Sequence, residues 1–159
     1  MSTSILKGCV PIASLTCTAD APYAPAVRGV VVAALTRLGI ADEELLRLGE
    51  LLTTEVFANA VRHAPRTRVR VRVSYDRPGA RIVVDVEDGS RALPARTGLP
   101  MGGLADHGRG VPLLEELSQA HGCKPLVRGK RIWFALRVPQ ADPVRCLRAG
   151  RAAEDLDRD

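Results

Sequence analysis

A two-layer α/β sandwich, with helices on one face of a mixed, mostly antiparallel sheet, is the fold class this sequence predicts. Three observations carry it. Leu45, Leu48, Leu52 and Val56 recur at helical spacing. Val69, Val71 and Val73 alternate with arginines, and Ile82, Val84 and Val86 then alternate beyond a DRPGA turn, which is a hairpin signal. The chain has 159 residues, 46% of them hydrophobic, enough for one domain with its own core.

The elements follow in order. Residues 10–18 (VPIASLTCT) suit a strand, and residues 21–38 suit an apolar helix ending near Gly39. Asp42 is placed to N-cap the next helix, which Pro65 bounds. Strands follow at 67–75 and 81–88. Residues 90–108 contain prolines and glycines without periodicity; a loop this long inside a compact domain is often a lid or a binding loop. A helix is expected at 110–120. Two strands are expected at 124–127 and 131–138, turning at Gly129. The predicted order is β-α-α-β-β-loop-α-β-β. Strands joined by short turns pair antiparallel, and helices on one face complete a two-layer sandwich. The domain is expected over residues 1–139 and a tail over 140–159.

Composition narrows the function. No run approaches the roughly 18 apolar residues of a membrane span. The N-terminal MSTSILKGCVPIASL makes a poor signal peptide, so a cytoplasmic protein is expected. Cys9, Cys17, Cys123 and Cys146 form no CxxC pair and no set with histidine; they read as buried free thiols. A net charge of +5 suits an acidic partner or a polyanionic ligand. One Trp, two Tyr and two Phe are too few for a surface that stacks single-stranded bases.

Glu55, Asn59 and His63 lie four residues apart and share one helix face. That stripe is either solvated or a site. A carboxylate can deprotonate a nucleophile, and an amide oxygen suits Mg²⁺, which takes few protein ligands and completes its shell with water and phosphates. In RIVVDVEDGSRALP the apolar row Ile82, Val84, Val86 ends in Asp88; Val83, Asp85 and Glu87 face the other way. A carboxylate ending a buried row needs a partner, for which the amine of adenine would serve, although Asp-Gly-Ser is also an ordinary turn. Gly108 and Gly110 flank Arg109 before a helix, where backbone can approach phosphate closely. Arg66, Arg68, Arg70 and Arg72 are expected along one strand face, ~6–7 Å apart. They form either a solvated face or a surface for an acidic protein.

Taken in order, these motifs resemble the GHKL (histidine-kinase-like) ATPase superfamily. EVFANAVRH (55–63) looks like its N box, DGSRALP (88–94) like its first glycine box, and GRG (108–110) like its second. More closely, residues 12–138 resemble stand-alone bacterial anti-sigma-factor serine kinases, whose closing strand GKRIWFAL (129–136) also resembles. The resemblance implies a Bergerat-type fold that binds ATP and Mg²⁺. It implies that Glu55 polarises the attacking hydroxyl, Asn59 holds the metal, and Asp88 bonds the adenine amine. Gly108, Arg109, Gly110 and Val111 would surround the phosphates beneath a lid at 90–107, with His63 and Ser90 completing the cofactor set. It implies phosphorylation of a serine on an anti-anti-sigma partner, sequestration of a sigma factor, and a possible homodimer, with no direct nucleic-acid contact. Ser90 stands where the first box usually has glycine, and HGC (121–123) where tryptophan-glycine is usual. Arg131 stands where a threonine is expected. A regulator that uses nucleotide only as a switch, or has lost it, is the alternative.

Overall fold

The computed structural model describes residues 8–92 and 110–139. The strands are β1 (Val10–Thr18), β2 (Arg68–Asp76), β3 (Arg81–Asp88), β4 (Ala120–Pro125) and β5 (Lys130–Arg137). The helices are α1 (Ala24–Arg37), α2 (Glu43–His63) and α3 (Gly110–Leu117), with a 3₁₀ turn at Ala21–Tyr23. The strands form one sheet in the order β1-β2-β3-β5-β4. Every pairing among the described strands is antiparallel, in keeping with the mostly antiparallel sheet expected. The expected sandwich is present, and its element order is the one the sequence predicts.

Local chemistry fixes the helix ends. Asp42 caps α2 through a bond from the Leu45 N–H to Oδ1, 2.9 Å, and Glu43 and Glu44 face the positive end of the helix dipole. Gly39, at φ +75°, ends α1 in the left-handed region. The two helices pack closely because Gly49 has no side chain: a Cβ there would lie 2.8 Å from Val31 Cγ1. Val27, Val31, Ala34 and Leu35 of α1 and Leu52, Val56, Phe57 and Ala60 of α2 are buried against the sheet.

Strand alternation places the core. Val69, Val71, Val73 and Tyr75 of β2 turn inward with Ile82, Val84 and Val86 of β3 and Ile132, Phe134 and Leu136 of β5. Each apolar side chain fully removed from water contributes about 1.5–3 kcal/mol of transfer free energy. Helix α3 adds Leu114.

Several expectations need correction. The fourth strand is Ala120–Pro125, not 124–127, and α3 stops at Leu117. Val127 sits at the tip of the β4–β5 turn, 92% exposed. The sequence AHGCKP shows no apolar alternation because it forms a sheet edge bonded only to β5. Arg66 is not a rung of the arginine row: it precedes β2 at φ +61°, and its N–H donates to the Ala19 carbonyl. Cys9 and Cys17 are half-buried thiols, while Cys123 is exposed rather than buried. Cys146 and the expected tail lie outside the described residues.

Candidate functional site

The C-terminal end of α2, the start of β2, the end of β3 and the β4–β5 turn meet at one pole of the sheet. The register requires this, since Arg70 opposes Glu87 and Asp88 opposes Lys130. Thr67 bonds back to the Ala64 carbonyl through its hydroxyl, 2.7 Å, and a Cβ on Gly89 would lie 3.1 Å from Thr67. Gly129 is pressed still closer. Its φ is +93°, and a Cβ there would sit 1.8 Å from the Asp88 carbonyl oxygen, so only glycine lets the turn reach this depth.

Asp88 ends the inner row of β3 and is buried, as the alternation predicts. Its Oδ1 accepts the Ser90 N–H at 2.7 Å. The Ser90 hydroxyl turns away and accepts the Ala92 N–H at 3.1 Å, so the serine is absorbed into a turn. Asp88 Oδ2 lies 3.4 Å from Lys130 Nζ, and both side chains are 2% exposed. Lys130 escaped the sequence reading because a lysine signals surface; only its place in the inner row of β5, after Gly129, could have found it.

Arg131 points the opposite way. Its guanidinium bonds Glu87 and approaches Asp85 at 3.6 Å on the outer face. The cation beside Asp88 is therefore Lys130, while Arg131, which stands where a threonine is expected, is held on the outer face.

On α2, Glu55 and Asn59 are both half-buried and His63 is exposed. Asn59 Oδ1 accepts a bond from Arg62 Nη2 at 3.2 Å, so the amide oxygen expected to meet Mg²⁺ holds a surface arginine. Gly110 opens α3, with Pro112 in its first turn, where no donor is needed. Gly108 and Arg109 lie outside the described residues, as do residues 93–107 of the expected lid; nothing is described of the Val111 side chain. Among the described residues no group of three or more His, Cys, Asp or Glu side chains could hold a metal.

The outer face carries the other charges. Arg72 donates to Asp85 Oδ1 from Nε and Nη2, at 3.1 and 2.8 Å, and to Glu87 at 2.9 Å. Burial pushes the Asp85 carboxyl above its ordinary range, and the bonds from Arg72 oppose that shift. Beside this network Trp133 covers Val83 and Ala135, its indole lying where a Gly122 Cβ would be. Arg68, Arg70 and Arg128 line a cleft of about 640 Å³ with Thr67, Glu87, Asp88, Gly89 and Leu126. The arginine row thus divides: Arg72 belongs to the sheet, whereas Arg68 and Arg70 face a basic cleft.

The fold and the pole together define a class. Residues 17–135 match the histidine kinase-like ATPase domain family. That span covers most of the chain, which therefore belongs to this family and carries a GHKL-type ATP-binding domain with a Bergerat-type fold. A comparison with curated proteins found no match. Among the described residues no helix is long and apolar enough to cross a membrane.

Proposed function

We propose that this protein is a cytoplasmic regulatory kinase. It would bind ATP with Mg²⁺ and pass the γ-phosphoryl group to a serine of an anti-anti-sigma partner, and it would hold a sigma factor. The observation that carries the reading is Asp88. It is a buried carboxylate ending an apolar row, anchored by one backbone N–H, at the pole where the Glu55–Asn59 helix ends. A buried carboxylate with capacity to accept is suited to an exocyclic amine.

The residues fit the group. Glu55 is half-buried on the helix and would take the proton of the serine hydroxyl as its oxygen bonds phosphorus and the bond to ADP breaks. Asn59 would hold the metal once Arg62 releases its amide oxygen. When bound, Mg²⁺ neutralises phosphate charge, and most of catalysis in phosphoryl transfer is this and positioning. The basic cleft supports a partner with an acidic face, because three arginines, Arg68, Arg70 and Arg128, line it together with two carboxylates, Glu87 and Asp88.

The second reading, a regulator that uses nucleotide as a switch without transfer, is favoured by the Arg62–Asn59 bond, which competes with metal ligation. Calorimetric titration with ATP and Mg²⁺ tests the site. Saturable binding is expected in the wild type and its loss in Asp88→Ala. A Glu55→Ala variant that still binds ATP but transfers no labelled γ-phosphate to the partner supports the kinase. If Glu55→Ala changes nothing measurable in partner control, the switch reading stands instead.

A further inference from the structure

Lys130 is the least expected side chain at the pole. Its ammonium is buried in the inner row of β5, directly opposite Asp88. Gly129 fixes that placement, because the turn can descend onto the Asp88 carbonyl only without a side chain. A buried ion pair kept only for stability is a poor bargain, since desolvation of two charges offsets much of their attraction. This pair is also slack. Charge-assisted bonds between nitrogen and oxygen usually close to about 2.7–2.9 Å, and here the separation is 3.4 Å. An ammonium carries three donors. Among the described residues the only carboxylate within ion-pair reach of Lys130 is Asp88. Among the described residues donor capacity is therefore left over in a nearly dry place.

We infer that Lys130 and Asp88 form a base-reading pair, in which Lys130 donates to the N1 ring nitrogen of adenine while Asp88 accepts from the neighbouring amine. The inference rests on the nucleotide reading above and adds to it the residue that sets base polarity. The carboxylate is an acceptor and the ammonium a donor, held side by side by the register. The edge of adenine offers the complement, an amine donor beside a ring-nitrogen acceptor. Guanine seated the same way presents an oxygen to the carboxylate and an N–H to the ammonium, so both contacts become repulsive. A hydroxyl at position 130 could turn to donate or accept; an ammonium can only donate. Lys130 thus rejects the reversed polarity more strongly than a hydroxyl would.

The test removes one atom from the ligand. Wild-type protein is titrated calorimetrically with ATP and with 1-deaza-ATP, which lacks the ring nitrogen but keeps the amine. A hydrogen bond to a charged donor predicts about 10- to 100-fold weaker binding of 1-deaza-ATP. The same two titrations on Lys130→Met should give equal affinities, because the donor is gone. If that variant does not fold by circular dichroism, Lys130→Gln replaces it, and a reduced but finite discrimination is expected from its neutral donor. Equal affinity of the wild type for both ligands overturns the role of Lys130 while leaving the nucleotide site intact. Absence of ATP binding by folded wild-type protein overturns both readings. A purely structural Lys130 would weaken both ligands alike, and that outcome also overturns the pair.

Discussion

The two faces of the β2–β3–β5 sheet both bury a carboxylate, and they treat it differently. On the outer face Asp85 is gripped twice by Arg72 and approached by Arg131, while Glu87 bonds both arginines. On the inner face, among the described residues, Asp88 has one short bond to a backbone N–H and one slack contact with Lys130. The outer cluster spends its hydrogen-bonding capacity on itself, as a structural network does. The inner pair holds capacity in reserve. Buried charge alone therefore does not mark a site in this molecule; unspent donors and acceptors do.

Arg72→Ala breaks the outer cluster with the largest expected effect, about 3 kcal/mol at neutral pH. That is the low end for stripping a partner from a buried charge, because Arg131 remains nearby. The sign of its pH dependence follows from Asp85, whose folded-state pKa burial already raises and which loss of Arg72 raises further. A raised carboxyl favours the fold below the unfolded value and costs stability as pH rises through the folded value. The deficit measured by urea unfolding should therefore shrink when pH is lowered from 7 to about 4. A deficit that grows in acid would mean Asp85 is not the group left exposed to the loss.

A smaller effect is expected at Cys9, which packs beside Val83 and Trp133. Burial first, and the Asp76 carboxylate second, push its thiol up to about 11. Near pH 8 its thiolate is scarce, while the higher basicity makes each thiolate a better nucleophile, so alkylation should be roughly tenfold slower than in an unfolded control. Peptide mass spectrometry after timed iodoacetamide treatment measures this, and equal rates would place Cys9 in water. Gly122→Ala should cost about 1–3 kcal/mol, since the new methyl would meet the Trp133 indole at 2.6–2.8 Å and force it aside. An unchanged urea midpoint would show that the indole has room to move. The smallest effect is a control away from both faces. Arg47 and Glu43 pair at 2.9 Å but are 77% and 79% exposed, so Arg47→Ala should shift stability by no more than about 0.5 kcal/mol.

Much of the scaffold could be read from the sequence because periodicity survives in one dimension. Val69, Val71, Val73 and Ile82, Val84, Val86 announce strands by alternation, and Asp42 announces a helix start by its place. Asp88 could be found because it ends such a row. Strand β4 could not, since an edge strand bonded on one side buries too little for AHGCKP to alternate. The face that Arg131 takes could not be read either, for a related reason. A shift of one residue reverses the face, and only the register of Lys130 against Asp88 fixes which of the two cations enters the pole. The arginine row was legible only as an alternation: that Arg66 falls before β2, and that Arg70 and Arg72 stand opposite Glu87 and Asp85, is set by the pairing across the sheet.

Trp133 gives this molecule a built-in optical property. It is the chain's one tryptophan, 5% exposed, and it lies over Gly122 on the face turned away from α2 and from the Asp88–Lys130 pair. Its fluorescence therefore reports on the integrity of the β3–β5–β4 surface and has no direct line to a ligand on the helix side. An emission change on adding nucleotide would be a signal carried through the thickness of the sheet.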